Sequence, residues 1–334
     1  MTLNRTARLK QRPKGPITRD LFEFRDEPLA EPDNGQFRVR AEYLSLDPAM
    51  RGWINAGRSY IRPVEIGEVM RGYAAGHVEV SDHPDYKVGD AVAGLFGAQT
   101  HAVSDGRGEI MKVDTALAPL PRWIGGLGMP GRTAYFGLLE VGQVKAGETV
   151  VVSAASGAVG AIVGQLALIH GARAVGIAGG PDKCTYLVDE LGFDAAVDYK
   201  AGDLAAQLDA ACPDGIDVYY ENVGGEILDA VLPRMNRFGR IPVCGLISSY
   251  NATEPPPGPR NFRSVLVNRL KIQGLIVFDF AERYAEATSR LAEWHAAGKL
   301  KIREDVRDGG LDAFVDTLNL LFTGGNFGKL VLRL

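Results

Sequence analysis

The sequence predicts an α/β protein, with a doubly wound parallel sheet beside a second domain that is mostly β. Three observations carry that prediction. The chain is 334 residues long, more than one ordinary core accommodates, so two domains are expected. Residues 36–120 fall into short β-like runs broken by Gly, Pro and Asp, the texture of an antiparallel barrel or sandwich. From about residue 125 onward, strand-like and helix-like segments alternate, which is the pattern of a parallel sheet with crossover helices.

Taken in order, the first domain reads as strands over residues 37–44, 73–80, 91–95 and 108–113. The glycine-rich tract 125–132 (GGLGMPGR) leads into a helix over 133–141, and the domain boundary is placed near residue 125. Residues 149–153 (TVVVS) form a strand of the buried type, and 158–170 a helix ended by Gly171. A strand over 174–177, a helix over 183–191, strands over 195–198 and 217–221, a helix over 227–235 and a strand over 240–244 continue the alternation. Residues 271–278 supply an edge strand. The helix over 281–297 sets Tyr284, Ala287, Leu291 and Trp294 on one face and stops at Gly298. A last helix carries Leu311, Phe314, Val315, Leu318 and Phe322 and stops at Gly324, before an alternating strand over 329–334. The chain is expected to return to its first domain after about residue 303, so that 1–124 with 304–334 form one domain and 125–303 the other.

Composition excludes several classes. Hydrophobic residues make up 46% and charged residues 23%, the balance of a soluble globular chain. A net charge of −4 gives no field that would favour nucleic acid or an anionic membrane. No stretch approaches the roughly 18 consecutive apolar residues of a membrane span. Residues 1–20 are polar and basic, so no secretory signal is expected. Cys184, Cys212 and Cys244 form no CxxC pair, and a sparse odd set fits a reducing compartment, the cytoplasm.

The strongest local signal is Ala155-Ser156-Gly157-Ala158-Val159-Gly160, a GxGxxG pattern with alanine in the first position. It sits between a hydrophobic strand and a helix. A dinucleotide site needs small residues there because the turn is tight, the backbone must approach a pyrophosphate, and the helix must pack close to the sheet. The N–H groups of Gly157, Ala158, Val159 and Gly160 then meet the anion at the helix start. A tight strand–helix connection without ligand is the plainer reading of such a turn, but the context is the one the mechanism requires. An NAD site places an Asp or Glu at the tip of the next strand, about 20 residues on. Here that tip is Ala178-Gly179-Gly180, with no carboxylate, and Lys183 follows, able to pair with a 2′-phosphate. NADP is therefore the expected cofactor, although Lys183 can also be read as an ordinary solvated helix residue.

Zinc chemistry is not expected. A catalytic zinc needs Cys, His or carboxylate ligands converging from the first domain, and a structural zinc lobe needs about four cysteines. No cysteine precedes Cys184, and His77, His83 and His101 have no partner at ligand spacing.

At these residues the chain resembles the zinc-independent branch of the medium-chain dehydrogenase/reductase family, in the group of prostaglandin reductases, leukotriene hydroxydehydrogenases and curcumin reductase-like enzymes. The matching tracts are Leu46-Asp47-Pro48 with Met50-Arg51-Gly52, residues 63–72 (PVEIGEVMRG), 128–139 (GMPGRTAYFGLL) and 154–160. Further on come Asp198-Tyr199-Lys200, 221–225 (ENVGG), 238–251 (FGRIPVCGLISSYN) and 326–329 (NFGK). The resemblance implies a GroES-like catalytic domain, completed by the C-terminal strand, beside a Rossmann domain. It also implies a homodimer and reduction of the carbon–carbon double bond of α,β-unsaturated aldehydes or ketones. Carried over by position, Gly157–Gly160 hold the pyrophosphate and Lys183 and Tyr199 the 2′-phosphate. Asn222, the tract Cys244, Gly245, Leu246, Ile247, Ser248, Ser249 and Tyr250, the tract Leu275, Ile276 and Val277, and Asn326 line the rest of the cofactor. Met129 and Thr133 lie near the nicotinamide. The sequence departs at Ala49, where related chains often carry an aromatic residue that can face the substrate.

An enone accepts hydride at its β-carbon, and negative charge develops on the carbonyl oxygen. A preorganised hydroxyl aimed at that oxygen can stabilise it without a metal. Tyr250, in the segment after the fifth strand of the sheet, is the expected donor, with a cofactor ribose hydroxyl as the second, by resemblance. Packing on the cofactor is the alternative role for Tyr250, and either Tyr250 or water can deliver the proton to the α-carbon. Two other readings stay open at this point: a quinone reductase on the same fold, and a non-catalytic NADPH-binding protein.

Overall fold

The computed structural model describes residues 2–334. The chain divides into two compact units, one running to Gly125 and resuming over Glu304–Leu334, the other spanning Gly126–Arg303. The first unit opens with β1 (Leu3–Leu9) and β2 (Phe22–Pro28), an antiparallel pair. β3 (Phe37–Ser45), helix α1 (Ala49–Trp53), β4 (Ala74–Ser81), β5 (Ala91–Gly94), β6 (His101–Ser104), β7 (Ile110–Lys112) and α2 (Leu120–Trp123) follow. The β1–β2 pair escapes the sequence pattern because its outward face is charged: Arg5 pairs with Asp26 at 3.0 Å and Arg8 with Glu27 at 2.7 Å. Only small or scattered residues such as Ala7, Leu9 and Phe22 turn inward.

The second unit contains α3 (Met129–Phe136), β8 (Thr149–Ser153), α4 (Gly160–Ile169), β9 (Arg173–Ala178), α5 (Pro181–Thr185), β10 (Ala195–Asp198) and α6 (Leu204–Ala211). It continues with β11 (Ile216–Tyr220), α7 (Gly225–Val231), β12 (Met235–Val243), α8 (Arg263–Asn268), β13 (Lys271–Gly274) and α9 (Tyr284–Ala296). Its strands form one parallel sheet in the order β10-β9-β8-β11-β12-β13. Counted from β8 this is the order 3-2-1-4-5-6 of a Rossmann sheet. Val150, Val151 and Val152 are wholly buried, as expected of a strand covered on both faces. The edge strand is shorter than the expected 271–278: pairing ends at Val243–Gly274 because β12 ends there, and Val277–Arg283 form a 3-10 helix. Leu275 keeps one bond, its N–H to the Val243 carbonyl at 2.9 Å. The helix expected from residue 133 starts at Met129, with Pro130 in the first turn where its missing N–H costs nothing.

The chain then re-enters the first unit with β14 (Glu304–Arg307), α10 (Phe314–Thr323) and β15 (Lys329–Arg333). β15 lies between β14 and β3 in the main sheet, whose path is β14-β15-β3-β4-β5-β7 with β6 paired to β3. Among the described residues, no helix is long and apolar enough to cross a membrane.

Candidate active site

In an open sheet of this kind ligands bind at the carboxyl ends of the strands where the winding reverses, here β8 and β11. β8 leaves Ser153 and turns through Ala154, whose φ of +50° lies in the left-handed region. The Gly157 N–H closes the turn on the Ala154 carbonyl at 3.0 Å. A Cβ on Gly160 would stand 2.5 Å from that carbonyl oxygen and 2.8 Å from Ala155 Cα, so glycine is what lets α4 begin this close to the strand. At Gly157 a Cβ would meet only the Ala154 oxygen, at 3.2 Å. Its absence keeps the N–H groups of Ala158, Val159 and Gly160 approachable, and the first N–H groups of a helix have no partner within it. The result is an anion-accepting helix start.

At the neighbouring tip, β9 runs into Gly179 and Gly180. A Cβ on Gly179 would lie 2.7 Å from the Tyr199 ring, so glycine allows that ring to close over the strand end. Lys183 stands half-exposed in α5, and Lys200 Nζ is 5.8 Å from the Tyr199 ring centroid. The carboxylate of Asp198 accepts the N–H groups of Gly180 at 2.8 Å and Lys200 at 2.9 Å, which ties it to the turns. The sequence names Lys183 and Tyr199; the structure adds Lys200 beside Tyr199.

The third group sits at the ends of β8, β11 and β12. Asn222 donates its side-chain N–H to the Ser153 carbonyl and its backbone N–H to Ser153 Oγ, both at 2.8 Å. The Cys244 and Gly245 N–H groups bond the Glu221 carbonyl, Ile247 N–H that of Asn222, and Ser248 N–H and Oγ–H that of Val223. Leu246 projects outward, and Ser249 Oγ–H bonds its carbonyl at 2.9 Å. The Tyr250 hydroxyl oxygen accepts the Leu246 N–H at 3.2 Å, folding the ring back over its own loop. Burial pushes the Cys244 thiol up to about 12, so this residue offers backbone and not a thiolate. Thr133 Oγ–H bonds the Met129 carbonyl at 2.8 Å, and the Tyr220 hydroxyl donates to the Thr133 carbonyl at 2.8 Å, which ties α3 to β11. Leu275 and Val277 are buried at the end of β13 with Ile276 half-buried between them.

Sequence reasoning missed Ser153 and Glu221. Glu221 is wholly buried, and burial raises its carboxyl pKa although the Val223 and Gly224 N–H groups and Ser153 oppose the rise. A carboxylate closing the hydrophobic strand IDVYY was the available signal.

Asn326 belongs to the first unit, where its side-chain N–H bonds the Gly328 carbonyl at 3.1 Å. The same NFGK tract supplies Lys329, 2% exposed, whose ammonium bonds the Leu46 carbonyl at 2.8 Å and Asp47 at 2.6 Å. Among the described residues, no group of three or more His, Cys, Asp and Glu is placed to hold a metal ion.

Residues 5–113 match a family model described as the N-terminal domain of oxidoreductase, and residues 158–293 one described as zinc-binding dehydrogenase. An NADPH-dependent curcumin reductase of Escherichia coli is 47% identical over 336 aligned positions, covering 99% of this chain and 96% of that protein. The chain belongs to the medium-chain dehydrogenase/reductase family. Another member, an NADP-dependent 2-alkenal reductase of Nicotiana tabacum, is 42% identical over 88% of this chain and 86% of its own length. Among solved structures of the family, CurA of Vibrio vulnificus in complex with NADPH matches with a TM-score of 0.92 at 44% identity, covering 98% of each chain. The Rossmann order of the parallel sheet and the glycine turn are what a medium-chain reductase of this kind requires.

Proposed function

We propose that this chain is an NADPH-dependent reductase of the carbon–carbon double bond in α,β-unsaturated aldehydes and ketones. One observation carries the reading: an anion-accepting glycine turn, and a β9 end (Ala178-Gly179-Gly180) with no acidic residue of its own and Lys183 following, occur in a chain 47% identical to an NADPH-dependent curcumin reductase. Curcumin is a conjugated diketone and a 2-alkenal a conjugated aldehyde, so the names of the two relatives share one chemistry.

The residues present fit a dinucleotide bearing a 2′-phosphate. The N–H groups at the start of α4 suit the pyrophosphate, Lys183 with Tyr199 the 2′-phosphate, and Asn222 with the 244–250 loop the remainder. When bound, the reduced cofactor supplies a hydride for the β-carbon of the substrate. Charge then grows on the carbonyl oxygen, and Tyr250 is the residue we assign to donate to it. Accepting the Leu246 N–H polarises that hydroxyl toward donation. The reading is zinc-free, supported by the lack of a three-ligand cluster among the described residues.

Loss of NADPH absorbance against a 2-alkenal, an aryl enone, a quinone and a simple aldehyde, each repeated with NADH, tests the proposal. Saturated carbonyl products from the first two substrates are expected, with activity that survives a chelator. Lys183→Ala is expected to raise the KM for NADPH about tenfold, through loss of a charge-assisted bond to phosphate, and to leave that for NADH unchanged. Turnover of the quinone alone would make the chain a quinone reductase. Binding without turnover of any substrate would make it a cofactor-binding protein.

We further propose a cytoplasmic homodimer. All three cysteines are free, in keeping with a reducing compartment. The dimer is supported by the sheet edge: every residue of β13 is exposed, with Ile272 at 42%, and Leu266, Val267 and Phe238 are 79%, 52% and 62% exposed nearby. An unpaired edge strand flanked by apolar side chains suits isologous pairing with a second copy. Sedimentation equilibrium is expected to give twice the chain mass, and Ile272→Asp with Leu266→Asp to give a monomer; a monomeric parent would remove the proposal.

A further inference from the structure

We infer that Glu221 is a positioning residue for the cofactor platform, holding from beneath the two loops that carry Asn222 and Tyr250. The inference rests on the reading that these loops receive NADPH.

Glu221 is 0% exposed, and no Lys, Arg or His among the described residues pairs with it. An ion-free buried carboxylate is expensive, so its worth must lie in the donors it collects. One oxygen, Oε1, accepts three: Ser153 Oγ–H at 3.0 Å, Val223 N–H at 2.6 Å and Gly224 N–H at 2.9 Å. The backbone carbonyl of the same residue accepts Cys244 N–H at 2.9 Å and Gly245 N–H at 3.2 Å. One loop therefore hangs from the side chain of Glu221 and the other from its carbonyl. The two are then stitched together above it, through Ile247 N–H to the Asn222 carbonyl and Ser248 to the Val223 carbonyl. Gly224 and Gly225 have φ of +77° and +58°, a path open to glycine and rarely taken by other residues, so the first loop turns sharply above Glu221. Ser153 completes the support by donating its hydroxyl hydrogen bond to Glu221 while accepting Asn222 N–H at 2.8 Å. What Glu221 supplies is the place of an acceptor. Its second oxygen, Oε2, is sealed from water and makes no hydrogen bond at full geometry, as does the nearby Tyr219 hydroxyl.

NADPH affinity by fluorescence titration, steady-state kinetics and urea midpoints are measured for the full chain and for Glu221→Ala, Glu221→Gln and Ser153→Ala. Glu221→Ala strands buried donors and is expected to weaken NADPH binding by about ten- to hundredfold and to lower kcat, with the enone KM within about twofold. Glu221→Gln keeps the acceptor at Oε1 and places an amide N–H toward Tyr219, so it is expected to hold NADPH within about threefold of the parent. A folded Glu221→Ala chain with parental NADPH affinity overturns the inference, and so does Glu221→Gln as impaired as Glu221→Ala. If Glu221→Ala does not fold, Ser153→Ala decides: a loss of about threefold or more supports the role, and unchanged affinity ends it. A parent chain that binds no NADPH would instead bring down the cofactor reading itself.

Discussion

Tyr250→Phe is expected to lower kcat for an enone by about tenfold to a thousandfold, the usual scale for a donor aimed at developing charge. The ring would remain, and with it any packing against the cofactor, so the substitution isolates the hydroxyl. The loop would lose the bond in which Leu246 N–H reaches the Tyr250 oxygen at 3.2 Å, and Leu246 is itself exposed, so that N–H can turn to water. NADPH affinity is accordingly expected to change little. A loss confined to kcat, with the KM for NADPH unchanged, marks an interaction made in the transition state. Parental kcat in the Phe variant would reduce Tyr250 to a packing residue and leave the carbonyl oxygen to another donor.

Lys329→Met is expected to destabilise the first unit by about 3–5 kcal/mol, the cost of leaving a buried charge without its partner. Asp47 is 5% exposed, and its other oxygen accepts Ser45 Oγ–H at 2.5 Å, so little water can replace the ammonium once it is gone. Burial lowers the Lys329 pKa even though Asp47 opposes the shift, so desolvation outweighs attraction and the pair is poor evidence of net stabilisation. The double variant Lys329→Met with Asp47→Leu is for that reason expected to recover most of the loss. Urea unfolding in a Trp294→Phe background reads the first unit through Trp53 and Trp123. An unchanged midpoint in the single variant would mean that water already reaches Asp47.

The parallel sheet was legible because strands covered on both faces are continuous apolar runs, as in TVVVS, and because a phosphate-binding turn is written in adjacent residues. The β1–β2 pair was hidden by a charged outer face, and α1, β6 and α8 are too short to show a period. The site divides in the same way. Gly157–Gly160, Lys183, Asn222 and Tyr250 stand in local motifs, and the family resemblance supplied the roles expected of them. Ser153 and Glu221 act through a bond between residues 68 apart, and Lys329 and Asp47 are 282 apart, so only the fold brings their chemistry into view. Lys200 is visible as a charge in the sequence, yet its position beside Tyr199 depends on how the β10 end turns.

The place of β15 between β14 and β3 also sets a calendar. Ribosomal synthesis delivers β3 well before residues 329–333, with the whole contiguous Gly126–Arg303 unit made in between. The second unit can therefore close as it emerges, while Tyr43–Ser45, the β3 residues that β15 will pair, wait unsealed. Through that interval Asp47 is an ordinary hydrated carboxylate, and it loses its water only when Lys329 arrives. A fault in β15 would thus fall on the unit that holds β3 and spare the Gly126–Arg303 unit.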